Sequence, residues 1–292
     1  MRISENWRDY ELIDASSGEK LERWGDIILI RPDPQAIWKT EKRHPLWKNA
    51  HARYIRSGSG GGRWQYYKQI PEKWSINYRE LCFNLKPMGF KHTGLFPEQA
   101  VNWDLLDGMI KGAKRPLKVL NLFAYTGGAT LACLAAGAAV THVDASKGMV
   151  SWARENAVAS NLDSRPVRWI VDDCIKFVSR EIRRGNLYDG IILDPPSYGR
   201  GPSGEVWQLE DSLYDFLQLC SGVLSRNPAF VLLNSYTTGL SSATMEYMLG
   251  SIFYKKYSGR LSSDEIGLYA TATGLKFPCG STAVWRAEDL AE

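Results

Sequence analysis

Residues 120–138 read LNLFAYTGGATLACLAAGA. An apolar run of strand length meets a polar, glycine-bearing turn, and the small residues after it have helical composition. "KVLNLF" (118–123) supplies the strand, "AYTGG" the turn and "ATLACLAAG" a helix able to pack closely on a sheet. Gly127 and Gly128 let the backbone approach a ligand with no Cβ in the way, and the following helix N-terminus offers unpaired N–H groups. The spacing is not the G-x-G-x-x-G of a dinucleotide-binding turn. The turn therefore suits a cofactor without phosphates, such as S-adenosylmethionine, better than a pyrophosphate.

Outward from this stretch the same grammar repeats. "VTHVD" (140–144), "RWIVDD" (168–173), "YDGIILD" (188–194) and "AFVLLNS" (229–235) are short apolar runs ending in a polar residue. Helical patterns separate them: "GMVSWARENAVASN", "IKFVSREIRRG" and "LYDFLQLCSGVL". Alternation of this kind predicts βαβ units in an α/β, Rossmann-like, doubly wound and mainly parallel sheet, with ligands beyond the carboxyl ends of the strands. Asp144 stands where an acid accepts ribose hydroxyls, a placement that NAD enzymes share. Asp172 and Asp173 follow the third strand, where a carboxylate either meets an adenine amino group or caps the next helix. "DPPSYGRG" (194–201) must leave the sheet rigidly, because proline cannot extend a central strand. That turn exposes Asp194 beside the cofactor.

The first 88 residues read differently. "GDIILIRP" (25–32), "RWQYYKQI" (63–70) and "ELCFNLKP" (80–87) have strand composition, and "RSGSGGGRW" (56–63) reads as a loop or hairpin connection. A small β-rich N-terminal domain over 1–88 before a cofactor domain over 89–292 is the expected organisation. From Lys39 to Lys91 there are 12 Lys or Arg against three acids, interleaved with nine aromatics from Trp47 to Phe90. The pattern suits RNA, through phosphate neutralisation and ring stacking, and equally suits a β-rich unit with an aromatic core and a charged rim. The 292 residues, 44% hydrophobic and 23% charged, describe a globular chain with no apolar run of membrane-spanning length. The start lacks a signal-peptide centre, so a cytoplasmic location is expected. Five scattered cysteines without a C-x-x-C pair suggest neither a disulfide framework nor a metal site. His51, His92 and His142 read as structural rather than catalytic.

Taken together, "GFKHTGLFPEQAVNWD" (89–104), "LNLFAYTGGATL", "VDAS", "DD", "DPPSYG" and "LKFPCGSTAVWR" (275–286) resemble class I S-adenosylmethionine-dependent methyltransferases, specifically the RlmI/RlmK-like group acting on large-subunit ribosomal RNA. The resemblance covers about 85–290 and implies a seven-stranded methyltransferase sheet with S-adenosylmethionine as cofactor, S-adenosylhomocysteine as product and no metal. It implies that Phe96 and Gln99 contact the cofactor. Phe123, Tyr125, Thr126 and Gly127 would line its methionine side, Asp144 its ribose, and Asp172 or Asp173 its adenine. Asn121, Ala124, Ala145, Ser146, Cys174 and Asp194 complete the candidate cofactor set. The first 85 residues do not visibly match the PUA domain that RlmI-type members carry there.

Which atom receives the methyl group turns on a missing residue. Pyrimidine C5 methylation needs a thiolate to add at C6. Members of the group that do this carry the cysteine just after the fifth strand, where this chain has "LLNSYTTG" (232–239) with Ser235 and no Cys. Cys279 is the one thiol near a strand end elsewhere. Guanine N7 has an in-plane lone pair and no proton, so its methylation needs placement and a favourable field but no base. RlmK-type members, which methylate guanine N7, have a similar hydroxyl-then-aromatic continuation after D-P-P.

The preferred expectation is therefore methylation of guanine N7 in 23S ribosomal RNA by direct displacement. Asp194, Pro195, Pro196, Ser197 and Tyr198 form the candidate catalytic turn, with Ser197 and Tyr198 placing the base. Exocyclic-amine or cytosine-C5 methylation of the same RNA is one alternative, and a small-molecule methyltransferase with the basic attachment as a lid is another. A non-catalytic RNA-binding protein that keeps the fold is a third. The segment 198–216 is expected to cover the site, with Arg200 either meeting a phosphate or simply exposed. The sequence identifies no edge strand for a homo-oligomer.

Overall fold

The computed structural model describes all residues except 59, 60, 201–205, 238, 289, 291 and 292, and gives Arg200 by its backbone only. The chain forms two compact units, Met1–Ala100 with Gly267–Cys279, and Val101–Ile266 with Gly280–Glu292.

The first unit holds β1 (Arg2–Ile3), β2 (Tyr10–Ser16), β3 (Glu19–Trp24), β4 (Ile27–Pro32), β5 (Ala52–Arg56), β6 (Gly62–Tyr66), β7 (Trp74–Tyr78) and β8 (Leu81–Leu85). β2, β3 and β4 form an antiparallel meander, β5 pairs parallel to β4, and β6 pairs antiparallel to β5 as the last strand in the order. β7 and β8 form a separate hairpin. Strands of this length with fully buried Leu21, Trp24 and Leu29 follow from the branched and aromatic runs of the sequence. Polar groups are also buried here. Glu22 receives Arg31 Nε at 2.6 Å, Arg31 Nη2 at 2.8 Å and the Tyr10 hydroxyl at 2.8 Å. Burial raises the Glu22 pKa, but Arg31 and Lys20, with the hydrogen bonds from Arg31 and Tyr10, outweigh it and leave the carboxyl at about 2.

The second unit contains α1 (Ala100–Gly112, from Val101 on), β9 (Lys118–Leu122), α2 (Gly128–Ala135), β10 (Ala139–Asp144), α3 (Lys147–Ala159), β11 (Val167–Val171), α4 (Cys174–Arg184) and β12 (Gly190–Leu193). After β12 come a short ladder, β13 (Tyr198–Arg200) with β14 (Val206–Gln208), then α5 (Leu209–Cys220), β15 (Phe230–Ser235), α6 (Ser242–Phe253), β16 (Arg260–Ala270) and β17 (Leu275–Arg286). The seven-stranded order is β11-β10-β9-β12-β15-β17-β16. β11, β10, β9, β12 and β15 run parallel, and β17 is antiparallel to β15. This is the expected Rossmann-like doubly wound sheet, and all five parallel strands end on one edge. β16 and β17 belong to the second unit at their base and to the first at their tip, where Ala270 pairs with Leu12 and Thr271 N–H donates to the Leu12 carbonyl. No helix among the described residues is long and apolar enough to cross a membrane.

His142, inside β10, is fully buried, with Nδ1 2.9 Å from the Thr130 hydroxyl and its ring 4.9 Å from Trp169. Burial, reinforced by the Arg154 charge, pushes its pKa down to about 3. A folded-state pKa below the unfolded value of about 6.5 contributes stability that is present above that pH and lost as pH falls toward 3. The urea midpoint is therefore expected to fall between pH 7.5 and pH 5.5, and His142→Gln to reduce that dependence. Identical pH dependence in both proteins would remove His142 as its source.

Candidate active site

The five parallel strands deliver their last residues to one edge, and the turn after β9 is the centre of it. Phe123 and Tyr125 adopt left-handed backbone conformations, φ 56° and 51°, and Gly127 follows at φ 89° as the N-cap of α2. Left-handed conformations at bulky residues cost about 1–3 kcal/mol each and persist only where the surroundings over-determine them. Here Phe123 N–H points to Cys174 Sγ at 3.4 Å and Ala124 N–H donates to the Val143 carbonyl at 3.1 Å. Tyr125 N–H donates to Asp144 Oδ2 at 2.9 Å, and Asn156 Nδ2 donates to the Thr126 carbonyl at 2.9 Å. A Cβ on Gly127 would lie 2.9 Å from Ala153 Cβ, and one on Gly128 would lie 2.7 Å from the Trp103 ring. Packing thus calls for glycine at both positions, and at Gly127 the left-handed conformation does so as well.

Asp144 ends β10 and holds the turn with both carboxylate oxygens, since Oδ1 accepts from Ser146 N–H at 2.8 Å. Burial raises its pKa, and the two backbone N–H bonds partly offset that rise. Ala145 and Ser146 are exposed, and Ser146 caps α3. Asp172 N–H donates to the Asp144 carbonyl, and the Asp172 carboxylate is ion-paired with Arg180 of α4. Asp173 caps α4, accepting Lys176 N–H at 2.9 Å. Of the two readings open for the Asp pair, the cap describes Asp173. Cys174 is buried and its thiol pKa is pushed well up by burial. Asn121 is buried too, with Nδ2 donating to Thr130 Oγ1 at 2.9 Å. Residues 123–128 carry no basic side chain, and an acid is tied to the turn. Such a set fits a cationic cofactor without phosphates and does not fit a pyrophosphate.

The D-P-P turn leaves β12 at Asp194. Its Oδ1 accepts from Asn234 Nδ2 at 2.8 Å, and Asn234 Oδ1 in turn accepts from the Thr282 hydroxyl at 2.8 Å. Asn102 Nδ2 donates to Thr282 Oγ1 at 3.0 Å. Asn102, Asn234 and Thr282 are all buried. Because Thr282 donates to Oδ1, the amide of Asn234 is oriented with its N–H groups toward Asp194. Sequence reading missed this relay, although a polar residue inside the apolar runs "FVLLNS" and "STAVW" is the signal that betrays one.

Pro195 is buried and Pro196 exposed. Ser197 Oγ lies 2.7 Å from Thr237 Oγ1, and its carbonyl accepts from Leu209 N–H. Tyr198 is half exposed and pairs with Gln208 in the β13–β14 ladder. Trp207, also missed, donates from Nε1 to the Pro196 carbonyl at 2.6 Å and stands 5.3 Å from the Phe123 ring, with Phe216 5.8 Å from both. An aromatic cluster therefore ties the turn after β9 to the turn after β12. Residues 201–205 and the Arg200 side chain, part of the segment expected to cover the site, lie outside the described residues.

Phe96 and Gln99 belong to the first unit, flanking and ending the 3₁₀ turn Pro97–Gln99, with Phe96 5.2 Å from the His92 ring. Cys279 also lies in the first unit, buried, with its thiol pKa raised first by burial. Such a thiol is a poor nucleophile. Ser235 ends β15, and Tyr236 and Thr237 follow it. Among the described residues no cluster of His, Cys, Asp or Glu could hold a metal ion.

Residues 43–211 match a family model described as S-adenosylmethionine-dependent methyltransferase. The match begins well upstream of the motifs that carry the resemblance in sequence. A crystal structure of an S-adenosylmethionine-dependent methyltransferase from Agrobacterium tumefaciens is 39% identical, covers 98% of this chain and 92% of that chain, and superposes with a TM-score of 0.92. A Streptococcus mutans protein described as a methyltransferase of the same kind, 18% identical over 96% of this chain and 76% of that chain, shares the fold with a TM-score of 0.74. Among curated proteins, ribosomal RNA large subunit methyltransferase K/L of Pseudoalteromonas atlantica is 38% identical over 215 residues, which are 67% of this chain and 30% of that protein. The same enzyme of Aeromonas hydrophila is 30% identical over 216 residues, 66% of this chain and 29% of that protein. The chain thus matches only about a quarter to three tenths of the length of these curated relatives.

Proposed function

Because the chain belongs to the S-adenosylmethionine-dependent methyltransferase family, we propose that it transfers a methyl group to a nucleobase nitrogen of large-subunit ribosomal RNA, with guanine N7 of 23S RNA the preferred target. Likeness to the large-subunit ribosomal RNA enzymes supports the RNA class. The observation that carries the choice of nitrogen is the hydroxyl-bearing stretch Ser235–Thr237 at the end of β15 and just beyond it, with Thr237 paired to Ser197 and no cysteine among them, since covalent pyrimidine chemistry needs a thiolate and the resembled group carries it there.

S-adenosylmethionine supplies the methyl group as a sulfonium. The strained turn from Phe123 to Gly127 takes its methionine side, and Asp144 accepts from its ribose while holding Tyr125 and Ser146. The Asp172–Asp173 corner, with the Cys174 backbone and its neighbours, borders the adenine. Phe96 and Gln99 are assigned to the same cofactor by resemblance. Guanine N7 attacks the methyl carbon as the carbon–sulfur bond breaks; the electron pair goes to sulfur and no proton leaves the base. Positive charge develops on the purine, and Asp194, fixed by Asn234, offers a carboxylate field without serving as a base. Pro195 and Pro196 make that turn rigid, and Ser197 and Tyr198 place the base.

The test is incubation with labelled S-adenosylmethionine and ribosomal RNA from cells lacking the gene, as naked RNA and as particles, followed by nucleoside mass spectrometry. 7-Methylguanosine is the expected product. An N-methylated exocyclic amine or a 5-methylpyrimidine would overturn the N7 assignment, and label in no RNA would overturn the RNA reading.

A further inference from the structure

Trp207 belongs to β14, which pairs with the residues just beyond the D-P-P turn. Its indole touches both turns of the site. Nε1 donates to the Pro196 carbonyl at 2.6 Å, which fixes the ring against the turn after β12. The ring centroid stands 5.3 Å from that of Phe123, at an interplanar angle of 49°, against the turn after β9. Phe216 of α5, only 2% exposed, backs both rings edge-on at 5.8 Å. Phe123 and Trp207 are themselves half-buried, so the cluster is closed at Phe216 and open at the other two rings. With the methionine side of the cofactor at the first turn and the base at the second, direct displacement puts the transferable methyl between them, in line with sulfur and nucleophile. The indole spans the same interval. Asp194 is the one acid within either turn, and Asn234 holds it.

We infer that the Trp207 and Phe123 rings form an aromatic wall against the sulfonium of S-adenosylmethionine, and that Trp207 strengthens binding of this charged cofactor relative to its neutral product. The inference rests on the reading of the two turns as cofactor and base sites. A cation over a ring face within about 6 Å of the centroid is attracted by the ring quadrupole, most strongly by tryptophan, and needs no counter-ion. As the methyl leaves, the carbon–sulfur electron pair stays on sulfur and the sulfur becomes neutral. S-adenosylhomocysteine therefore loses the attraction, which favours its departure.

The test is calorimetric titration of the full chain with S-adenosylmethionine and, separately, with S-adenosylhomocysteine. Leucine at position 207 keeps apolar contact for the methyl group but has no π-face. Trp207→Leu is expected to weaken S-adenosylmethionine roughly 2- to 30-fold more than S-adenosylhomocysteine, the range for one cation–π contact. Phe123→Leu should shift the ratio of the two affinities in the same direction, which keeps the test open should Trp207→Leu not fold. Trp207→Phe keeps a ring and should retain most of the wild-type ratio. General loosening of the site would lower both affinities together and leave their ratio alone. Folded leucine variants with the wild-type ratio overturn the aromatic wall. Asp144→Ala in the same titrations then separates the two readings: if it weakens both ligands, the cofactor site stands without the wall, and if it weakens neither, the reading of the site falls as well. A ratio that falls as far in Trp207→Phe as in Trp207→Leu also overturns the assignment to the ring face, and leaves the bond to the Pro196 carbonyl as the contribution of Trp207.

Discussion

Asp194→Ala is expected to lower the rate of methyl transfer by about 10²–10³-fold, the range seen when one preorganised electrostatic group is removed from an active site. The affinity for S-adenosylmethionine should change far less, because the turn after β9 and the end of β10 carry most of the proposed contacts. The neighbours sharpen the expectation. Asn234 presents its N–H groups to Asp194 because Thr282 occupies its carbonyl oxygen. Asn234→Asp places a second carboxylate against the first and should approach the Asp194→Ala defect. Thr282→Val keeps the volume, removes the hydroxyl that orients the amide, and should lower kcat about tenfold with KM for the cofactor unchanged. The measurement is single-turnover transfer under saturating cofactor, with the thermal midpoint as control. Full activity in folded Asp194→Ala would end the role of the D-P-P turn in placing the base, and a parallel fall in cofactor affinity would move Asp194 into the cofactor site.

Asp144→Ala is expected to cost at least about 100-fold in S-adenosylmethionine affinity. Two effects combine, the loss of a charged acceptor for the ribose and the release of Tyr125 and Ser146 from the carboxylate. A hydrogen bond to a charged group contributes about 1.5–3 kcal/mol net, and the left-handed turn loses one of its ties in addition. Asp144→Asn keeps one acceptor oxygen and should fall between alanine and wild type. Calorimetric titration with S-adenosylhomocysteine separates binding from transfer. Equal affinity in wild type and Asp144→Ala would show that the cofactor does not use the end of β10.

The parallel sheet was legible because each of its strands announces itself as an apolar run closed by a polar residue, and Asn121, Asp144 and Asp194 each sit in or beside one. Which residues stand at the strand ends was legible for the same reason. Asp173 shows the limit of that reading: an acid after a strand serves an adenine or a helix cap equally well, and only the 2.9 Å contact with Lys176 N–H identifies the cap. Asn234, Thr282 and Asn102 come from β15, β17 and α1, 48 and 132 residues apart along the chain between their bonded neighbours. No local pattern joins them. Trp207 was hidden in a segment that reads as a loop, and no local pattern in the sequence signals its pairing with Gly199 in the β13–β14 ladder.

The division of the β16–β17 hairpin has a practical corollary. The polypeptide passes between the two units three times, after Ala100, Ile266 and Cys279, rather than once. A single truncation therefore cannot yield either unit whole: stopping at residue 100 strips the N-terminal unit of the partner strand of Leu12, and starting at 101 leaves the remaining piece with an orphaned hairpin tip. Excision of the second unit calls for replacing Gly267–Cys279 with a short turn joining the hairpin arms. The same connectivity means that an insertion at one crossing alters tethering without disconnecting the units.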